Sequence, residues 1–157
     1  VGAFGGKKEI MDGVAPVCDV CQGGTLSGNP LAMSAGYTLL SMLEKHPEYY
    51  VELEEKTEYL KKRLNIVLKT SGLPYTINQV GSMITVFFTG ETVTNFETAN
   101  KNDQELFRQF FHGMLKRGIY LPPSPFESWF LSKSLTYQQL DETVMAANEV
   151  LSGISKS

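Results

Sequence analysis

The hydrophobic period of this chain changes from helical to strand-like midway, and that change fixes its fold class. From Glu48 to about Thr70, Leu53, Leu60, Leu64, Val67 and Leu68 recur at helical spacing, so one face of a long helix faces a core. Gly72 and Pro74 end that helix. Tyr75 to Val80 and Ser82 to Thr89 are rich in β-branched and aromatic residues, which predicts two strand segments joined at Gly81 by a sharp bend or bulge. Helical spacing returns from Asp103 to Arg117 on Phe107, Phe110, Phe111, Met114 and Leu115, with Gly118 as its C-terminal stop. A last helix starts at Thr136, where Gln139 completes a capping box, and runs to about Leu151 on Leu140, Val144 and Ala147. Short strands are expected at Ile119 to Leu121 and at Trp129 to Leu131, and a polar surface loop from Gly90 to Asn102. Two or three strands with helices on one side describe an α/β fold with a small, mainly antiparallel sheet covered by helices.

Ahead of that domain stands a shaped loop, Gly23-Gly24-Thr25-Leu26-Ser27-Gly28-Asn29-Pro30. Its glycines free the backbone for positive φ and close approach. Pro30 opens a helix at the position where a missing N–H costs nothing. Two readings follow. Free N–H groups, the positive helix end and the hydroxyls of Thr25 and Ser27 suit a phosphate; alternatively this is a plain turn with Asn29 as the N-cap. No P-loop or dinucleotide fingerprint is present. The helix from Pro30 to about Lys45 carries no charge before Glu44, the composition of a helix buried on every side.

A formal charge of -3 and a pI near 5.4 give no electrostatic reason to expect nucleic acid or an anionic membrane as partner. No apolar run is long enough to span a bilayer. The chain begins at Val1 without a methionine, so the natural N-terminus is expected upstream. On the helix after Pro47, Glu52/Lys56 and Glu58/Lys62 sit four apart and read as a solvated face.

Cys18-Asp19-Val20-Cys21 has the spacing of zinc sites and thiol oxidoreductases. A structural zinc needs about four ligands, and the histidines, His46 and His112, fall in unrelated predicted helices. A redox pair would be expected to open a helix after a strand, whereas here a glycine loop follows. Two reduced thiols in a cytoplasmic protein is the simpler reading, and no metal is expected. Near the other end, three prolines in the four residues Pro122-Pro123-Ser124-Pro125 stiffen the chain before Phe126-Glu127-Ser128. Glu127 is either a surface charge or, in an apolar setting that raises its pKa, a group for proton transfer or for holding an ammonium.

Several stretches carry a family resemblance. Val1-Gly2-Ala3-Phe4-Gly5-Gly6, Glu9-Ile10-Met11 and Gly24-Thr25-Leu26-Ser27-Gly28-Asn29-Pro30-Leu31-Ala32-Met33 form one block. Phe110-Phe111-His112-Gly113-Met114-Leu115 and Gly118-Ile119-Tyr120-Leu121-Pro122-Pro123-Ser124-Pro125-Phe126-Glu127 form another. Together they resemble the latter half of the glutamate-1-semialdehyde 2,1-aminomutase family, pyridoxal-phosphate enzymes of the class III aminotransferase group. The resemblance implies a fold-type-I transferase, with residues 1–46 as the end of its large cofactor-binding domain and 47–157 as its C-terminal small domain. It implies conversion of glutamate-1-semialdehyde to 5-aminolevulinate, for tetrapyrrole synthesis, by intramolecular amino exchange on pyridoxal 5'-phosphate in a homodimer. It places Gly24 and Thr25 at the cofactor phosphate of the neighbouring subunit, Ser27 beside them as a loop-shaping residue, and Glu127 in substrate handling.

The Schiff-base lysine of that family precedes the Val-Gly-Ala motif, so it is absent from this chain, and Lys7 and Lys8 do not replace it. The chain alone is therefore expected to be inactive and not to hold the cofactor. Two departures stand out: the family usually has an aromatic residue where this chain has Cys21, and often a histidine where it has Leu135. Two other readings remain. One is another class III enzyme, such as an ω-aminotransferase, against which the Pro-Ser-x-Phe-Glu stretch argues. The other is a non-catalytic interaction domain using apolar faces around Leu31 to Leu43.

Overall fold

The chain divides into two compact units, Val1–Pro47 and Glu48–Ser157. The computed structural model describes residues 2–154, so Val1, which opens the first motif, and residues 155–157 lie outside it. The first unit holds a short helix α1 (Lys8–Met11) and a longer helix α2 (Pro30–Lys45). Between them the chain turns tightly, with a cis Ala15–Pro16 peptide and an isolated bridge between Val14 and Val20. Gly28 takes φ 76°, a left-handed value that a side chain resists, just before the helix begins. No residue of α2 is buried among the described residues, although its composition is that of a buried helix; Leu31, Tyr37 and Leu40 are all more than half exposed.

The second unit is built on a three-stranded antiparallel sheet in the order β1 (Thr76–Val80), β2 (Met83–Phe87), β3 (Trp129–Phe130). Val80 pairs with Met83, so Gly81 and Ser82 form a two-residue hairpin turn with Gly81 at φ 53°. This replaces the expected bend or bulge, and the physical reason is the turn's need for positive φ, which glycine meets at no steric cost. β3 is short, but Leu131 N extends its pairing by donating to Ser82 O at 3.0 Å.

Helices α3 (Glu48–Ser71), α5 (Gln104–Leu115) and α6 (Tyr137–Ile154) supply the rest of the core. Leu60, Leu64 and Leu68 of α3 join Ile84 and Val86 of β2, Phe110 and Met114 of α5, and Leu140, Ala147 and Leu151 of α6. Each large apolar side chain so buried contributes roughly 1.5–3 kcal/mol relative to exposure. The capping box at the start of α6 forms, with Gln139 N donating to Thr136 Oγ1 and Thr136 N donating to Gln139 Oε1.

Three expectations are corrected. Ile119 to Leu121 is not a strand: Ile119 N donates to Met114 O and Gly118 N to Leu115 O, closing α5 in a Schellman motif, so the backbone donor a ladder needs is spent on the helix end. The Gly90 to Asn102 segment is not a plain surface loop. It contains helix α4 (Phe96–Ala99) with an Asn95/Thr98 capping box, it buries Val93, and buried Asn102 accepts from Phe88 N. Lys56 is not on a solvated face but 7% exposed, its ammonium donating to Lys133 O at 2.7 Å.

Helices α5 and α6 pack closely at Gly113 of α5, where an added Cβ would lie 2.6 Å from Val150 Cγ1 and 2.9 Å from Val150 Cγ2. Val150 is buried and β-branched, so it cannot rotate aside. Alanine's helix-propensity advantage of about 1 kcal/mol is smaller than the roughly 1–3 kcal/mol of overpacking. Gly113→Ala is therefore expected to lower stability in urea titrations, by about 1 kcal/mol, and Val150→Ala in the same chain to relieve the clash.

Candidate functional site

In the first unit the glycine loop folds as a turn, with Ser27 N donating to Gly24 O at 3.0 Å and Asn29 N to Leu26 O at 3.1 Å. Asn29 Oδ1 accepts from both Leu31 N and Ala32 N at 3.1 Å, and Met33 N donates to Asn29 O. Pro30 has no N–H. The first-turn donors of α2 are thus already satisfied by Asn29, and the helix end itself offers an anion only its dipole.

The free donors lie one turn earlier. Among the described residues the backbone N–H groups of Gly24 and Thr25 and the Thr25 hydroxyl carry no hydrogen bond. Ser27 Oγ sits 2.6 Å from the place where a Cβ on Gly24 would stand, so glycine is what lets that hydroxyl close over the turn. The structure brings Gly24, Thr25 and Ser27 into one small polar turn with hydrogen-bond donors to spare.

In the second unit a cleft of about 690 Å³ opens under the proline loop, beside β3 and the first turns of α6. Leu121, Trp129, Leu131 and Leu140 give it an apolar wall, and Glu127 and Glu142 are its charged groups. No lysine, arginine or histidine among the described residues lines it. Its preference is for a body that is partly apolar and carries a positive or hydrogen-donating end.

Glu127 is exposed at this cleft, so the apolar setting considered from the sequence is not present among the described residues. Its backbone is nevertheless fixed: Glu127 N donates to Ser124 O at 3.2 Å, and the next residue, Ser128, shares a 3.0 Å hydroxyl hydrogen bond with buried Thr85 of β2. Phe126 lies against Phe96 of α4, with ring centroids 5.7 Å apart.

Following β3, the turn from Ser132 to Leu135 is held by a charge cluster that spacing alone did not reveal. Glu52 pairs with Lys56 at 3.0 Å and with Lys133 at 2.9 Å, and the Lys133 ammonium sits 4.5 Å from the centre of the Tyr49 ring. Hydrogen bonds from Lys133 and then Lys56 hold the Glu52 carboxyl below its usual range, and Glu52 raises Lys133 in turn. The Glu52/Lys56 spacing was visible in the sequence; nothing in it pointed to Lys133, which lies on a different element. Leu135 packs against the core. His112 is exposed, as are the free thiols Cys18 and Cys21, and no group of three or more His, Cys, Asp or Glu among the described residues could hold a metal ion. No helix there is long and apolar enough to cross a membrane.

With that geometry in place, comparison with known proteins defines the class. The aminotransferase class-III family matches residues 1–149, and the chain belongs to that family. Among its curated relatives, glutamate-1-semialdehyde 2,1-aminomutase from Flavobacterium johnsoniae is 51% identical over 150 residues, covering 96% of this chain and 35% of the relative. A protein of the same name from Thermus thermophilus is 52% identical over 149 residues, with 95% and 35% covered.

Two solved structures share the fold. A β-phenylalanine aminotransferase from Variovorax paradoxus has a TM-score of 0.74 at 28% identity, covering 95% of this chain and 34% of its own. An ω-transaminase from Sphaerobacter thermophilus has a TM-score of 0.76 at 21% identity, covering 98% and 35%. The chain thus spans about a third of the length of the relatives it matches.

Removing the Glu52 charge gives a pH test of the cluster. A carboxyl whose folded pKa is depressed adds stability above its unfolded pKa and loses it as pH falls through the folded value. Glu52→Gln is therefore expected to lower the urea midpoint at pH 7, and the gap to the unsubstituted protein to narrow as pH falls below the usual carboxylate range.

Proposed function

We propose that this chain is the C-terminal part of a pyridoxal-phosphate-dependent glutamate-1-semialdehyde 2,1-aminomutase, which makes 5-aminolevulinate for tetrapyrrole synthesis. The observation that carries the proposal is identity of about one half to relatives of that name along nearly the whole chain. In this reading residues 1–46 close the large cofactor domain, residues 47–157 form the small domain, and the enzyme works as a cytoplasmic homodimer.

The residues present fit the phosphate end of the cofactor. Gly24 and Thr25 offer unpartnered N–H groups and a hydroxyl in one turn, and Ser27 closes it. They would take the phosphate of the neighbouring subunit's cofactor. When bound, pyridoxal phosphate supplies the electron sink for moving an amine between adjacent carbons. The work of this chain is to bind and orient. The Gly24–Thr25 turn would fix the cofactor by its phosphate. The proline loop holds Glu127 at the mouth of a cleft without basic side chains among the described residues, where its carboxylate would receive the ammonium end of the substrate. Trp129 and Leu131 exclude water from the wall behind it.

A polypeptide extended upstream to the length of its relatives is expected to form 5-aminolevulinate from glutamate-1-semialdehyde and to absorb at roughly 330–430 nm, where pyridoxal adducts absorb. The 157-residue chain alone is expected to do neither. Glu127→Gln in the extended protein should lower kcat/KM on the order of a hundredfold. Turnover by the chain alone would refute the reading; an extended protein that transaminates ω-amines and makes no 5-aminolevulinate would move it to another class III activity.

A further inference from the structure

The proline loop enters β3 at a polar row that crosses the sheet. The β2–β3 register pairs Met83 with Phe130 and Ile84 with Trp129. One step further it brings Ser128 opposite Thr85, where backbone pairing has ended and the 3.0 Å hydrogen bond between the two hydroxyls takes its place. Thr85 is buried, between Ile84 and Val86 of the core. It is also the partner of Asn78 in β1, so Asn78, Thr85 and Ser128 lie on one face. The Asn78 carboxamide donates to Val93 O at 2.9 Å and the Thr76 hydroxyl to Glu91 O at 2.8 Å, which fastens the segment carrying α4 to β1. From α4, Phe96 reaches the ring of Phe126. Glu127 thus stands between two anchored neighbours, Phe126 on α4 and Ser128 on β2, and all of these contacts lie within the second unit.

We propose that Thr85 and Phe96 are positioning residues for Glu127. The hydroxyl pair fixes the backbone just after it and the ring pair the backbone just before it, and together they set where its carboxylate stands toward a substrate ammonium. A glutamate side chain turns about several bonds, so what the fold can hold beforehand is its Cα. Holding it lowers the ordering cost that the substrate must otherwise meet on binding. Neither Thr85 nor Phe96 acts on the substrate itself; each acts through Glu127. The proposal rests on the reading of Glu127 as the group that receives the substrate's ammonium.

The test has two readouts, both on the protein extended upstream to the length of its relatives. The first is hydrogen exchange of the peptide spanning residues 122–128, whose prolines leave only Ser124, Phe126, Glu127 and Ser128 as amide reporters. Within it Phe126 N donates to Ser124 Oγ and Glu127 N to Ser124 O. Thr85→Val keeps the β-branched shape and removes the hydroxyl; it should speed exchange there by roughly tenfold, as should Phe96→Ala, while Thr85→Ser leaves it unchanged. The second is kcat/KM for 5-aminolevulinate formation. Thr85→Val should lower it roughly tenfold, Thr85→Ser should restore it, and Thr85→Val should add no loss once Glu127 is Gln, because residues that act through one carboxylate are not additive. Unchanged exchange in both Thr85→Val and Phe96→Ala would overturn the inference. So would an equal loss with and without the Glu127 carboxylate, which is the mark of a general effect on the fold. Faster exchange in a protein that makes no 5-aminolevulinate contradicts the aminomutase reading and supports the anchoring of the loop by Thr85 and Phe96.

Discussion

The central strand β2 is the constraint on which the second unit depends. Ile84, Thr85, Val86 and Phe87 are buried in succession, and since successive strand residues point to opposite faces, both faces of this strand are covered. The backbone groups of such a strand need partners within the protein. β1 closes one edge through the Gly81–Ser82 hairpin and β3 pairs with the other at Met83 and Ile84. Just past the end of the strand, the Asn102 carboxamide takes Phe88 N. The position of Glu127 is inherited from this strand, because β3 and the Thr85–Ser128 hydrogen bond tie the end of the proline loop to it.

The helices were legible because their signals are local and repeated. α2 begins at Pro30 behind Asn29, α3 ends before Gly72, and the core face of α6 falls on Leu140, Val144, Ala147 and Leu151. The fold class followed, since the period change at Gly72 to Tyr75 separates helix from hairpin unambiguously. The misjudged segments depend on partners distant in the chain. Ile119 to Leu121 has strand-like composition, yet the Schellman closure of α5 takes the donor of Ile119 first. Lys56 has the sequence signature of a surface i,i+4 pair, yet the Lys133 carbonyl, 77 residues away, draws its ammonium inside.

The candidate site was legible to a different degree in each unit. In the glycine loop the residue types alone gave two readings, anion seat or capped turn, and the geometry shows the cap. Asn29 caps the helix, while Gly24 and Thr25 keep donors to spare one turn earlier. For Glu127 the stiff proline run was plain from the sequence, but its exposure was not, because burial is a property of what surrounds a residue rather than of its neighbours in the chain.

The most direct measurement on the central claim is the dissociation constant of pyridoxal phosphate for the upstream-extended protein with Thr25 intact and with Thr25→Val, by spectroscopic titration. Val removes the hydroxyl while keeping the shape. A hydrogen bond to a charged group contributes about 1.5–3 kcal/mol, so affinity should fall by roughly tenfold or more while the fold is unchanged. Equal affinity for the two proteins would contradict the assignment of this turn as the phosphate seat.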